Sequence, residues 1–340
     1  MNSMLKSMYL LYLVVAISAV NALPKFCLLD STTSCLGKYH EMAKKESELP
    51  FQPLYHPLQK ISDEKSAGLY LSLVAVDLHG DNNVDMYIGQ KSGRVSYYKN
   101  TGTNKKPVYI KQADEDNPMP AAVTKFRVVN SPLIYEMVHY SFALVDINGD
   151  SKLDLFVVNG YGAVGLPGRL YYWENTGTTT KPAFTDFTLS ATKNPFATIL
   201  SDSNGRIVNK KNTRLCFVDI DGDGDQDLFL GSITGMIYYI KNIGNSTHPV
   251  FKKQCHIGSD CPAGKMTGTA NPFYLVDVGA MSSPFAVDFD QDGDMDMVIG
   301  NQAGVVVYFE NTGSRTNPTF TEQKGTSKFS VHSCHFVGST

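Results

Sequence analysis

Acidic side chains recur at alternate positions in four short segments of this chain. The segments are VDLHGDNNVDMYIG, VDINGDSKLDLFVV, VDIDGDGDQDLFLG and VDFDQDGDMDMVIG. Counted from the first aspartate, metal-ligating side-chain types fall at positions 1, 3, 5 and 9 of each segment. Carboxylates crowded this closely repel one another unless a cation lies among them. The spacing therefore predicts four metal-binding loops, numbered loop 1 to loop 4 in chain order.

The candidate ligands are carboxylates and one amide. They are Asp77, Asp81 and Asp85 in loop 1; Asp146, Asn148, Asp150 and Asp154 in loop 2; Asp219, Asp221, Asp223 and Asp227 in loop 3; and Asp288, Asp290, Asp292 and Asp296 in loop 4. Ca²⁺ takes about six to eight oxygen ligands, so calcium is the predicted cofactor, with the backbone carbonyl at position 7 as a further ligand. Loops 3 and 4 are expected to bind most tightly. Loop 1 is expected to bind least well, because His79 at its position 3 is a poor calcium ligand.

The loops are not EF-hands, which need a glutamate at position 12 and flanking helices. Position 12 is apolar here: Ile88, Val157, Leu230 and Ile299. A single Asp-Gly-Asp segment is also typical of an ordinary β-turn. Four copies in register favour metal sites instead, with the aspartate at position 9 expected to replace the distal glutamate.

The similarity between the copies extends well beyond the loops. The first aspartates are separated by 69, 73 and 69 residues. In each copy a tyrosine, an asparagine, a glycine and a proline follow a hairpin glycine at matching distances, and an insertion before that glycine explains the longer step of copy two. The tyrosines are Tyr97, Tyr172, Tyr239 and Tyr308; the asparagines are Asn100, Asn175, Asn242 and Asn311. Short apolar runs separated by turn residues predict four antiparallel strands per copy. Such units must stack, which predicts an all-β fold: a β-propeller of four-stranded antiparallel blades.

Aromatic residues recur within these repeats. We expect the four tyrosines, and the single tryptophan Trp173, to pack between blades rather than to bind sugars. The ring size stays open from sequence, because too few residues follow Phe320 for a fifth copy. Residues 50–62 could lend a strand that closes a small ring, or the blades could form an open arc. The predicted organisation is a signal peptide (1–22), an N-terminal segment (23–66) and the propeller (67–340).

The N-terminus predicts export. Lys6 precedes an apolar run over residues 8–20 and a small-residue cleavage site ending at Ala22, as in a secretory signal peptide. The run is shorter than the roughly 20 residues of a membrane span, so a secreted, extracellular protein without a transmembrane segment is expected.

Cysteine usage fits that compartment. The six cysteines allow Cys255–Cys261 and Cys27–Cys35 bonds, or a Cys27–Cys334 bond, and Cys216 lies in an apolar run typical of a buried thiol. Asn245 begins an Asn-Ser-Thr sequon for a glycan. The formal net charge of −3 shows no basic excess, which argues against nucleic-acid binding.

The segments DIDGDGDQDLFLG and DFDQDGDMDMVIG, followed by glycine-bounded hairpins and an Asn-Thr-Gly turn, resemble FG-GAP/VCBS repeats. The resemblance covers residues 69–321. It implies a calcium-stabilised propeller, similar to the N-terminal head of integrin α subunits, and a role in adhesion or binding.

Two functions are compatible with the sequence. The first is a secreted propeller that binds an extracellular protein or glycan through the variable spacers between repeats, with calcium structural in the loops. The second is a secreted propeller enzyme, such as a polysaccharide lyase or a lipid hydrolase. The sequence contains neither Gly-x-Ser-x-Gly nor His-Glu-x-x-His, so no catalytic residue is predicted and binding is favoured.

Overall fold

The apolar runs of the four repeats form β-strands that pair within each repeat. The computed structural model describes residues 72–89, 95–120, 140–159, 169–197, 199, 212–254, 271–274 and 276–324. In each repeat four antiparallel strands pair in chain order. The predicted fold class is confirmed: the chain forms a β-propeller of four four-stranded blades.

The blades follow the chain from the N-terminus to the C-terminus. Blade 1 contains β1 (Ser72–Val76), β2 (Asp85–Gly89), β3 (Val95–Asn100) and β4 (Tyr109–Lys111). Blade 2 contains β5 (Tyr140–Val145), β6 (Asp154–Asn159), β7 (Arg169–Asn175) and β8 (Phe184–Asp186). Blade 3 contains β9 (Asn212–Val218), β10 (Asp227–Ser232), β11 (Ile237–Asn242) and β12 (Phe251–Lys253). Blade 4 contains β13 (Ser283–Val287), β14 (Asp296–Gly300), β15 (Val306–Asn311) and β16 (Phe320–Glu322).

The first strands of successive blades lie side by side, β1 beside β5, β5 beside β9 and β9 beside β13. The second strands of the two middle blades, β6 and β10, are then enclosed by neighbouring blades on both faces. In β10, Leu228 packs toward blade 2 while the next residue, Phe229, packs toward blade 4, because successive side chains of a strand point to opposite faces. This explains why β10 is buried at every residue, without the polar alternation of a half-exposed strand.

Aromatic side chains fill the spaces between blades, as the sequence predicts. Tyr172 stacks on Phe156 between blades 2 and 3, and Tyr239 stacks on Phe229 between blades 3 and 4. Trp173 is 3% exposed and belongs to the cluster between blades 1 and 2. Burying one such side chain contributes roughly 1.5–3 kcal/mol, so these clusters are the main source of cohesion between blades.

The spacers between blades carry a recurring anchor that sequence reasoning missed. An Asn-Pro pair followed by a large apolar residue stands in each spacer: Asn117-Pro118-Met119, Asn194-Pro195-Phe196 and Asn271-Pro272-Phe273. The asparagine side chain accepts the backbone N–H of the apolar residue, at 3.1, 2.9 and 2.9 Å. Phe196 and Phe273 are fully buried in the cores between blades. The spacers, expected to be variable binding segments, are therefore partly structural.

Several predictions lie outside the described residues. These are the signal peptide, the N-terminal segment and its closing strand, and Cys27, Cys35, Cys255, Cys261 and Cys334. Cys216 is a free, buried thiol as predicted, and burial raises its pKa to about 12. No helix in the described part of the chain has the length and apolar character that a membrane crossing needs.

Candidate metal centre

The four aspartate loops connect the first and second strands of their blades along one backbone path. In every loop positions 4 and 6 lie in the left-handed region. These residues are Gly80 and Asn82, Gly149 and Ser151, Gly222 and Gly224, and Gln291 and Gly293, with φ between 62° and 97°. Glycine, asparagine and other small polar residues tolerate this region best. The two left-handed residues curl the chain so that alternate side chains turn toward the centre of the loop.

The aspartate at position 1 accepts backbone hydrogen bonds from its own loop. Loops 1 and 2, in the N-terminal half of the propeller, differ in this respect from loops 3 and 4, in the C-terminal half. In loop 1, Asp77 accepts the backbone N–H groups of Asp81 and Asn82 at 3.2 and 2.7 Å. Asp146 of loop 2 makes the equivalent pair at 3.1 and 2.8 Å. Both carboxylate oxygens in these loops are therefore satisfied by the protein.

In loops 3 and 4 the same carboxylate accepts one backbone N–H through Oδ2, from Gly224 to Asp219 and from Gly293 to Asp288, each at 3.2 Å. The Oδ1 atoms of Asp219 and Asp288 are buried and lack a hydrogen-bond partner. Buried polar atoms in proteins are normally paired, so each of these oxygens marks a place where a further group fits.

Three carboxylates converge in each of these two loops. Within the described residues, oxygens of Asp219, Asp221 and Asp223 lie within 4.8 Å of one another, as do those of Asp288, Asp290 and Asp292. Carboxylate oxygens bound to one Ca²⁺ at about 2.3–2.6 Å are separated by similar distances. The residues present therefore fit a hard divalent cation, and these two triads could hold a metal ion.

A fourth carboxylate, at position 7, was not among the predicted ligands. Asp225 and Asp294 are 5% and 7% exposed, and the Oδ1 atom of each has no hydrogen-bond partner. Burial, followed by the charge of Asp223, raises the pKa of Asp225 to about 6. Burial and the charge of Asp292 raise the pKa of Asp294 to about 6. The sequence offered a signal, because only loops 3 and 4 carry aspartate at position 7.

The aspartate at position 9 is engaged inside the blade. Asp85, Asp154, Asp227 and Asp296 are at most 1% exposed. Their Oδ1 atoms accept the backbone N–H of the third-strand asparagine in each blade, at 2.7–2.8 Å. In blades 1, 3 and 4 the Oδ2 atom also accepts the hydroxyl of the recurring tyrosine, at 2.9, 2.7 and 2.9 Å. These aspartates tie the second strand to the third, and they lie outside both triads.

Blade 2 departs from this arrangement, because Asp154 Oδ2 is buried without a hydrogen-bond partner. Burial raises the pKa of both Asp154 and Asp227 to about 7. The recurring tyrosine of blade 2, Tyr172, packs in the core between blades 2 and 3.

The third-strand asparagines extend the same network into the next hairpin. Asn242 Oδ1, for example, accepts the backbone N–H groups of Gly244 and Val250 at 3.0 and 2.9 Å. A Cβ atom on Gly244 would overlap the carbonyl oxygen of His248, which explains the recurring glycine.

Among the described residues, basic side chains contact three of the four loops. His79 Nδ1 in loop 1 lies 3.1 Å from Asp85 Oδ2, and Lys152 Nζ in loop 2 lies 2.9 Å from Asp150 Oδ2. In loop 3, the Lys241 ammonium contacts Asp221 and lies 3.9 Å from Asp223 Oδ2. The hydrogen bond to Asp221 raises the pKa of Lys241. Arg315, from the hairpin of blade 4, lies 3.5 Å from Asp219 Oδ2.

Comparisons with known proteins give a structural likeness only. No protein-family model matches the chain, and no curated protein matches it. Solved structures do match, among them a lectin from Agrocybe aegerita described as specifically recognising non-reducing terminal N-acetylglucosamine. The match has 16% identity and a TM-score of 0.36, and it covers 74% of this chain and 51% of that chain. This chain thus spans about half the length of that lectin structure.

Proposed function

We propose that this protein is an exported, calcium-binding β-propeller that binds an extracellular protein or glycan. The pair of aspartate triads in loops 3 and 4 carries the proposal. Leaving a buried polar atom unpaired costs about 1–3 kcal/mol, and more when it is charged. One divalent cation would satisfy several such oxygens in each loop. Calcium suits this set better than magnesium, which demands strict octahedral geometry and keeps several of its waters.

The proposed role of calcium is structural. Each loop joins the two inner strands of a blade, and position 4 faces the hairpin of the following blade in loops 1 to 3. A Cβ on Gly80 would lie 3.4 Å from the carbonyl oxygen of Thr179, and one on Gly149 would lie 2.9 Å from that of Ser246. A cation that fixes the loop would therefore also fix the junction between two blades.

Export and ligand binding rest on the sequence. The apolar run over residues 8–20 after Lys6 supports secretion. The Asn245 side chain lies on an exposed hairpin, where its Oδ1 atom accepts the backbone N–H of Thr247, and a glycan could be attached there. A rigid propeller that carries surface loops is a scaffold suited to recognition.

The decisive experiment is metal analysis of the full-length chain secreted from eukaryotic cells. We expect calcium after dialysis into metal-free buffer, N-terminal processing near Ala22, and a melting temperature that falls on addition of a chelator. A chain that retains no calcium and melts at the same temperature with chelator or with calcium would refute the metal assignment.

Ligand binding is tested on arrays of extracellular proteins and glycans, with calcium and with chelator. Specific, calcium-dependent capture supports the binding role. Specific turnover of a polysaccharide or lipid ester would replace it with the enzymatic alternative.

A further inference from the structure

Loops 3 and 4 have nearly the same acidic residues but different surroundings. One difference is the residue before the third-strand asparagine, which is Lys241 in blade 3 and Glu310 in blade 4. In blade 3 the side chain at this position reaches the triad, because the Lys241 ammonium contacts Asp221. The two blades place this position alike, since Asn242 and Asn311 donate to Asp227 and Asp296 at 2.7 and 2.8 Å.

A second cationic group reaches loop 3 from the following blade. Arg315 Nη2 lies 3.5 Å from Asp219 Oδ2, and its side chain occupies the space that a Cβ atom on Gly222, at position 4, would need. In the described part of the chain no basic side chain pairs with an acid of loop 4. Loop 3 therefore holds built-in positive charge that loop 4 does not.

Loop 4 is also the more open of the two. The residue at position 2 is 2% exposed in loop 3, where it is Ile220, and 42% exposed in loop 4, where it is Phe289. Gln291 takes the left-handed position 4 that is glycine in the other three loops, with φ of 63°. Buried oxygens without hydrogen-bond partners occur in both loops, and in loop 4 they are Asp288 Oδ1 and Asp294 Oδ1.

We propose that, in blades 3 and 4, the residue before the third-strand asparagine determines how the acidic loop of that blade is neutralised. Lys241, helped by Arg315, serves loop 3 as a built-in cation that calcium must displace. Glu310 leaves loop 4 as the tight, exchangeable calcium site. This proposal rests on the proposed function, because it assumes that the triads bind calcium. It refines the expectation that loops 3 and 4 bind calcium most tightly, because it places loop 4 above loop 3.

The expected size of the effect follows from charge repulsion. A monovalent and a divalent charge about 4 Å apart repel by roughly 2 kcal/mol even at the dielectric constant of water, which corresponds to about thirtyfold in affinity. Displacing the ammonium from its carboxylates adds to this difference. We therefore expect two classes of calcium site in the wild-type chain, separated by about thirtyfold or more.

The test is calorimetric calcium titration of the full secreted chain and three variants. Lys241→Gln should strengthen the weak class by about thirtyfold and leave the tight class unchanged. Glu310→Lys should weaken the tight class by at least the same factor. Lys252→Gln is the matched control, because Lys252 pairs with Lys241 across the sheet and its loss removes the same charge. The control should change neither class by more than about twofold.

The outcomes separate the two proposals. A wild-type chain that binds no calcium overturns the proposed function. If the wild-type chain binds calcium but both Lys241→Gln and Glu310→Lys leave the affinities unchanged, the roles proposed for Lys241 and Glu310 are wrong and the proposed function stands. Melting in chelator checks the folding of each variant. Arg315→Gln provides a second measurement, because Arg315 is largely exposed; it should strengthen the weak class by a smaller factor than Lys241→Gln.

Discussion

Loops 1 and 2 differ from loops 3 and 4 in how they satisfy the same curled backbone. All four loops share two left-handed residues at positions 4 and 6. In loops 1 and 2 the first aspartate accepts two backbone N–H groups, so the protein completes its own hydrogen bonding. In loops 3 and 4 one oxygen of that aspartate stays buried and unpaired. The same backbone conformation is thus completed by hydrogen bonds in loops 1 and 2, whereas in loops 3 and 4 it is suited to a bound cation.

The largest expected effect concerns a feature that both halves share. Replacing the position 9 aspartate, as in Asp85→Ala or Asp296→Ala, removes an acceptor for one backbone N–H and one tyrosine hydroxyl. Hydrogen bonds to charged groups contribute about 1.5–3 kcal/mol each. We expect a loss of about 3–5 kcal/mol in the free energy of unfolding, measured by urea denaturation in chelator.

The two variants should lose similar amounts of stability, because each aspartate also makes one further contact within its own loop. Asp85 Oδ2 lies 3.1 Å from His79 Nδ1, and Asp296 Oδ2 accepts the backbone N–H of Phe289 at 3.1 Å. A loss in Asp296→Ala that disappears in chelator would show instead that this residue acts mainly through bound metal.

Calcium should stabilise the folded protein through loops 3 and 4 but not through loops 1 and 2. At a free calcium concentration one hundred times the dissociation constant, one site adds about 2.7 kcal/mol to the stability of the folded state. Asp288→Asn should remove the contribution of loop 4, whereas Asp77→Asn should lower stability equally with calcium and with chelator. Thermal melting of each variant under both conditions measures this difference. An equal loss of the calcium response in both variants would contradict the division into two halves.

Replacing the recurring tyrosines by phenylalanine should have a smaller effect on stability, and the effect should differ between blades 2 and 3. Tyr239 donates its hydroxyl to Asp227 at 2.7 Å, whereas the corresponding carboxylate oxygen in blade 2, Asp154 Oδ2, has no hydrogen-bond partner. Tyr239→Phe should therefore cost about 1.5–3 kcal/mol. Tyr172→Phe serves as its matched control and should cost well under about 1 kcal/mol. Urea denaturation in chelator measures both values, and equal losses would argue against the assigned hydrogen bond.

The sequence predicts the blades well because its signals are local. A Pro-x-aromatic pattern predicts the start of each fourth strand, and β4, β8, β12 and β16 begin at that aromatic residue. Alternate spacing also predicts the convergence of positions 1, 3 and 5 in loops 3 and 4, although the same spacing in loop 1 forms no such group among the described residues. The partners of position 9 were not predictable from the loop alone, because Asn242 and Tyr239 come from another strand.

Contacts between blades were harder still to predict. Arg315 reaches Asp219 from the hairpin of the following blade, and no spacing within one repeat indicates this pairing. The Asn-Pro-Phe anchors did leave a signal, a tripeptide repeated in two spacers with a methionine variant in a third. The different spacer lengths placed those tripeptides out of register with the repeat and concealed them.

The smallest expected effect tests whether the loop backbone is truly common to both halves. Gly224 has φ of 90° and open space where a Cβ would stand, and Asn82 occupies the same position in loop 1 with φ of 62°. Asparagine tolerates the left-handed region, so Gly224→Asn should change the free energy of unfolding by less than about 0.5 kcal/mol in chelator. Gly244→Ala is the contrasting control, since its Cβ would overlap a backbone oxygen, and it should cost about 1–3 kcal/mol. Equal costs would mean that loop 3 needs glycine for a reason that loop 1 does not share, and the common backbone would then not explain both halves.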